Sequence, residues 1–169
     1  SVILNASEIL KLVDQNELPL EVFNIRSYLA NSYLHLNDSV KAIEYAQKNN
    51  KLSEQLKDTT AIIGAKIDLG NIYLAFGSSI ESIHSFEQAL PLAKKQNNKM
   101  ALFILNYNIA DIHFNQLNDP TGAKPYIDAA EENVGKDFKV GQTGISLLKS
   151  HYAFYNKDYD VAADLYQQT

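Results

Sequence analysis

The chain has 169 residues, 46 % of them hydrophobic and 21 % charged, a balance that excludes a disordered polymer. No apolar run approaches the roughly 18 residues of a membrane span, and no basic-then-apolar leader opens the chain. The formal charge of −5 and a single arginine, Arg26, disfavour nucleic acid, and the absence of cysteine rules out disulfides and thiolate metal sites.

The first segment, 2–14, carries Val2, Ile3, Ile9, Leu10, Leu12 and Val13 at helical spacing and reads as a preceding or capping helix. Asn16–Glu17 breaks it, and Pro19 opens a second helix that runs to Leu36. Asn37–Asp38 ends that one, with Asp38 as N-cap of a helix from about Ser39 to Leu56. Asp58 caps the next, which passes through Ile62, Ile67, Leu69 and Tyr73 to Phe76 and stops at a left-handed Gly77. Ile80 to Gln96 follows, capped at Ser78–Ser79, and its interior Pro91 predicts a kink near Glu87–Pro91. After the turn at Asn97–Asn98, Lys99 to Leu117 reads as one helix. The turn Asn118–Asp119–Pro120 holds one residue more than its counterparts. The next helix reaches about Val134, with irregular first turns at Pro125. Gly135 to Gly144 is the weakest stretch, because Gly141 and Gly144 each cost a helix about 1 kcal/mol relative to alanine. Helix is convincing again from Ile145 to Tyr155, and Tyr159 to Gln168 forms the last one.

A small residue recurs every 40 positions, as Ala30, Gly70, Ala110 and Ser150. About twelve positions after each comes a second small residue: Ala42, Ser82, Ala123 and Ala162. Small side chains at both places let two antiparallel helices approach closely, so each unit is a helical hairpin. The hairpins cover 19–57, 58–97, 98–136 and 137–169, after the helix at 1–16. Tyr33, Tyr73, Phe86, Tyr126 and Tyr166 are placed to fill the gaps between units. A start at Ser1 and an end within a helical pattern predict a piece of a longer protein. Ala162, Leu165 and Tyr166 at the cut end predict weak self-association there.

The best copy reads Leu69–Gly70, Tyr73, Gly77, Ser82, Phe86 and Ala89; the first gives Leu29–Ala30, Tyr33, Asn37–Asp38 and Ala42. In the third His113 replaces the tyrosine, and the fourth has Lys149–Ser150 and Ala153. At these residues, over about 19–169, the chain resembles the tetratricopeptide repeat family, with a period longer than that family's usual roughly 34 residues. The resemblance implies an all-α fold, a right-handed solenoid of antiparallel helix hairpins. It further implies a cofactor-free, non-enzymatic module that binds a protein or peptide, of the long-repeat kind found in bacterial signalling and regulatory proteins. A quorum-sensing-type receptor for a small peptide is the second reading. The compartment is expected to be cytoplasmic, with the periplasmic sensor portion of a membrane-anchored regulator as the alternative.

In that family the concave face is lined from the first helix of each hairpin. The equivalent positions here are Asn24, Ser27 and Asn31; Gly64, Ile67 and Asn71; Ile104, Tyr107 and Asp111; and Gly144, Leu147 and His151, with Phe114 close by. An asparagine amide both donates and accepts, so it can hold a peptide group of an extended ligand; the bland reading is a polar residue facing water. Asn31 and Asn71 match the asparagines of the family's carboxylate clamp. Its cations do not follow, since Ser27, Ile104 and Asn108 stand in their places, which favours a neutral or mildly apolar peptide. Asp111 favours a positive charge on the ligand, and Tyr107 and Phe114 are expected to flank a side-chain pocket.

No catalytic set emerges. The four histidines, His35, His84, His113 and His151, include no pair at metal spacing, and no glycine-rich phosphate loop or nucleophile elbow occurs. His113, at a tyrosine position, reads as a packed residue, and His35 and His84 as exposed ones.

Overall fold

The computed structural model describes residues 2–13 and 18–167, with nine α-helices, one π-helical turn and no strand among them. They are α1 (Val2–Leu12), α2 (Pro19–His35), α3 (Ser39–Leu56), α4 (Thr59–Ala75), α5 (Ser79–Lys95), α6 (Lys99–Asp111), α7 (Pro120–Asn133), α8 (Lys139–Tyr155) and α9 (Tyr159–Gln167). The Asn16–Glu17 break lies outside the described residues. None of the described helices is long and apolar enough to cross a membrane.

The chain divides into two compact units, residues 1–89 and 90–169, with the boundary inside α5, two residues before Pro91. α5 stays helical through the proline at which a kink was expected. In the first unit α2 packs on α3 and α3 on α4, and α4 also touches α2. In the second, α6 packs on α7, α7 on α8 and α8 on α9.

Turn chemistry sets the helix lengths. Asn37, Lys57, Gly77 and Asn97 all take left-handed φ, 20 residues apart, and each closes a helix. Asparagine and glycine accept that conformation with least strain. The next helix then begins on a carboxylate or amide: Asp38 accepts from Lys41 N at 3.1 Å, Asp58 from Thr60 N at 2.8 Å, Asn98 from Ala101 N at 3.1 Å and Asp119 from Gly122 N at 2.9 Å.

The extra residue of the third copy sits in the helix, not in the turn. Ile112–Gln116 is a π-helical turn on the end of α6, closed by Leu117 N donating to Ile112 O at 3.0 Å. In other copies the cap amide reaches back five residues, as Asp38 to Tyr33 O, Ser78 to Tyr73 O and Asp158 to Ala153 O; Asp119 reaches back six, to His113 O at 2.8 Å. A widened turn absorbs the insertion, and Asn118 (φ 51°) and Asp119 keep the same turn chemistry as their counterparts. Two further expectations are corrected. α7 is regular helix through Pro125, and α8 begins at Lys139, six residues before Ile145. Gly141 and Gly144 lie inside α8 because rings occupy the space of their side chains: Phe138 and Phe103 at Gly141, and the Tyr107 ring at Gly144.

The small residues are where the hairpins close. Ala30, Ala42, Gly70, Ser82, Ala110, Ala123, Ser150 and Ala162 are all buried. A Cβ on Gly70 would run into the ring of Phe86, itself fully buried, and Ser82 Oγ donates to Gly70 O at 2.8 Å. Around these contacts Tyr33, Tyr45, Tyr73 and Phe76 pack on Ala30, Ala46, Leu69 and Ile72. In the second unit Tyr107, Phe114, Tyr126 and Tyr152 pack on Ala110, Ala123, Ile127 and Leu148. Tyr166, by contrast, is 62 % exposed and fills no gap in the described residues. His113 is packed as expected, stacked on Tyr126 at 5.7 Å between centroids, with Nδ1 3.0 Å from Asp119 Oδ2.

Two glycines of α4 separate packing from propensity. Gly70→Ala is expected to destabilise by about 1–3 kcal/mol through overpacking against Phe86. Gly64 has nothing within 4 Å of its missing Cβ, so Gly64→Ala stabilises by about 0.5–1 kcal/mol. Urea unfolding of both variants checks the signs; equal signs contradict the packing assigned to Gly70.

Asp119 supplies a pH-dependent contact. The Gly122 amide, then the His113 ring, hold its carboxyl below the usual carboxylate range. A depressed folded pKa contributes stability above the unfolded value, 3.8, which is lost as pH falls through the folded one. Asp119→Ala is therefore expected to lower the melting temperature at pH 7, with the gap from the parent closing as pH falls below 3.8. A gap that widens towards low pH contradicts this.

Candidate functional site

In the first unit, burial of one helix face turns the other outward. Leu29 and Ala30 of α2, and Leu69, Gly70 and Ile72 of α4, are buried, which leaves Asn31 and Asn71 exposed on adjacent helices. Asn24 is also exposed, and Ser27 and Ile67 are half-buried. Asn31 Nδ2 donates one hydrogen to Ser27 O at 3.0 Å within its own helix, which leaves Oδ1 and the second amide hydrogen facing outward. Ser27 Oγ accepts from Asn49 Nδ2 at 2.8 Å, and the same Nδ2 donates to Phe23 O at 2.8 Å. Asn49 projects from α3 and is 4 % exposed. Beside it lies a cavity of ≈ 10 Å³ lined by Ser27, Ala30, Asn31, Asn49, Asp68 and Ile72, among others. Asp68 keeps one side to solvent, and loss of water on the other raises its carboxyl pKa.

The second unit treats its residues differently. Ile104 and Tyr107 are half-buried and pack on Phe103, Ala130 and Ile145. Tyr107 has its ring against Gly144, and burial, then the nearby Asp111, push its phenol pKa up. Asp111 accepts from Asn115 Nδ2 at 2.7 Å. Phe114 and His151 meet with ring centroids 5.8 Å apart and border a cavity of ≈ 490 Å³ together with Phe154, Tyr155, Lys157 and Tyr159. Phe114 therefore shares its cavity with His151, while the expected partner Tyr107 belongs to the core around Gly144. The period aligns helix faces, but ring placement follows where a glycine leaves room.

A third place was missed in the sequence. A cleft of ≈ 540 Å³ opens among α3, α4 and α5, lined by Gln47, Asn50, Lys51, Tyr73, His84 and Gln88, with other residues of the same helices. Behind it Lys66, 7 % exposed, donates to Gln88 Oε1 at 2.8 Å and lies 3.4 Å from Asn50 Oδ1 and 3.5 Å from Glu54 Oε1. With its oxygen taken by the ammonium, Gln88 turns its NH₂ to His84 Nε2, 2.7 Å away. A lone lysine inside the apolar run of α4 was the available signal, as was the pair of asparagines, Asn49–Asn50, in mid-helix. No cluster of three or more candidate metal ligands occurs among the described residues.

No family model matches the chain, and no curated protein matches it. Among solved structures, the crystal structure of BtubC (BKLC) from P. vanneervenii is similar, with a TM-score of 0.82 at 18 % identity, covering 98 % of this chain and 70 % of that one. At that identity the likeness is one of fold.

Lys66→Met keeps the apolar stem and removes the ammonium from Gln88, Asn50 and Glu54. It is expected to cost about 1–3 kcal/mol in urea unfolding, the scale of unpaired buried partners. Stability equal to the parent's would show that the ammonium is not tied in.

Proposed function

We propose that the chain is a non-enzymatic recognition module that binds a protein or extended peptide. In this reading its hairpins form a tetratricopeptide-like right-handed solenoid, part of a signalling or regulatory protein. The all-helical hairpins, their 40-residue spacing and the fold likeness to BtubC support the repeat reading. The cysteine-free sequence suits a reducing, cytoplasmic setting.

One observation carries the site: Asn31 and Asn71, one period apart, are both exposed on the touching helices α2 and α4. Packed helices stand about 8–10 Å apart. About three residues of extended chain, at about 3.3 Å each, span that distance. Two amides at that separation grip two peptide groups of one ligand, and neither is needed for the core. Asp68 beside them and the net charge of −5 favour a ligand without acidic groups.

Selection of ligands from a displayed random-peptide library, followed by fluorescence anisotropy, tests this. Asn31→Ala and Asn71→Ala are each expected to weaken a selected peptide by about 1–2 kcal/mol with little change in stability. Lys95→Ala, on exposed α5 surface, is the control and is expected to change nothing. Affinity indifferent to both asparagines but lost in Gln47→Ala would move the site to the cleft of α3, α4 and α5.

A further inference from the structure

Asn49 is buried in the first unit, and both hydrogens of its amide are given to Phe23 O and Ser27 Oγ at 2.8 Å. Among the described residues its Oδ1 has no hydrogen-bond partner. A buried acceptor in that position is costly unless something donates to it. The cavity it borders is ≈ 10 Å³, room for about one water-sized group. Two more acceptors share its wall: Asn31 Oδ1, on an amide with one hydrogen given to Ser27 O, and the Asp68 carboxylate.

No cation lines the cavity. Lys66, two residues before Asp68, is turned to Gln88, Asn50 and Glu54. The pocket therefore offers three side-chain acceptors and two neutral side-chain donors, the Ser27 hydroxyl and the second amide hydrogen of Asn31. A carboxylate or phosphate meets repulsion there, and a guanidinium is too large. A water has two hydrogens for three oxygens. A primary ammonium is of water size and carries three N–H donors.

We propose that this pocket, at the α2–α4 end of the peptide face, seats a primary ammonium of the ligand, a lysine side chain or a free N-terminal amine, on Asn49 Oδ1, Asn31 Oδ1 and Asp68. The inference rests on the peptide-binding reading above and names the chemistry that reading selects. The ammonium enters from the Asn31 side, which is exposed, and the ligand's remaining chain lies along α2 and α4.

Nα-Acetyl-lysine methylamide and its norleucine counterpart are titrated into the ¹⁵N-labelled chain, with the asparagine side-chain NH₂ signals observed. Glycine methylamide supplies the N-terminal amine. The expected result is a saturable shift at Asn49 and Asn31 with lysine or glycine amide and none with norleucine, reduced about tenfold or more in affinity by Asp68→Asn. Equal shifts with norleucine, or indifference to Asp68→Asn, overturn the proposal. Silence of Asn49 towards both amines overturns it too, and leaves a resident water as the occupant. A selected peptide that lacks any amine, yet still depends on Asn31 and Asn71 while ignoring Asp68→Asn, sinks the ammonium pocket and leaves the peptide face standing.

Discussion

Everything in this molecule depends on helices that approach closely at small residues. At Gly70 the space of a single methyl group is filled by the ring of Phe86, and Ser82 bonds across the same gap to the glycine carbonyl. Alanines at 30 and 42, and at 110 and 123, do the same without a hydrogen bond. Close approach consumes one face of each helix and turns the neighbouring position, one residue later, outward. A rule about packing thus becomes a rule about exposure: the position after each small residue is exposed or half-exposed and polar in all four copies, as Asn31, Asn71, Asp111 and His151.

The same constraint explains how much was legible beforehand. Helix boundaries followed from caps and left-handed residues, and α3 lies where its capping aspartate places it. Local chemistry decides such features, and one sequence carries it. The π turn at Ile112–Gln116 was not legible, because an inserted residue lengthens a loop or widens a helix with similar ease until packing chooses. Gly141 and Gly144 misled for a related reason. Their intrinsic helix cost is visible in the sequence, but of the rings that occupy their space only Phe138 is near in the chain, and Phe103 and Tyr107 come from distant positions.

For the proposed binding face, the exposure of Asn31 and Asn71 was readable from periodicity, whereas its chemistry was not. Asn49 lies a full helix away from Ser27 in sequence, and only the fold places its amide against α2. Lys66 was likewise visible as an oddity in an apolar run, but its ties to Gln88, Asn50 and Glu54 connect three helices. Both residues are buried polar groups held by polar atoms of neighbouring helices. Such groups fix relative helix position and leave polarity close to the surface, where a ligand can use it.

The central claim is that ligands are met on the α2–α4 face rather than in the cleft of α3, α4 and α5. A photo-reactive benzophenone residue in place of Asn71, and in a second variant in place of His84, tests it on one selected peptide or on a native partner. The account predicts covalent capture from position 71 and none from position 84. Capture from position 84 alone would contradict it.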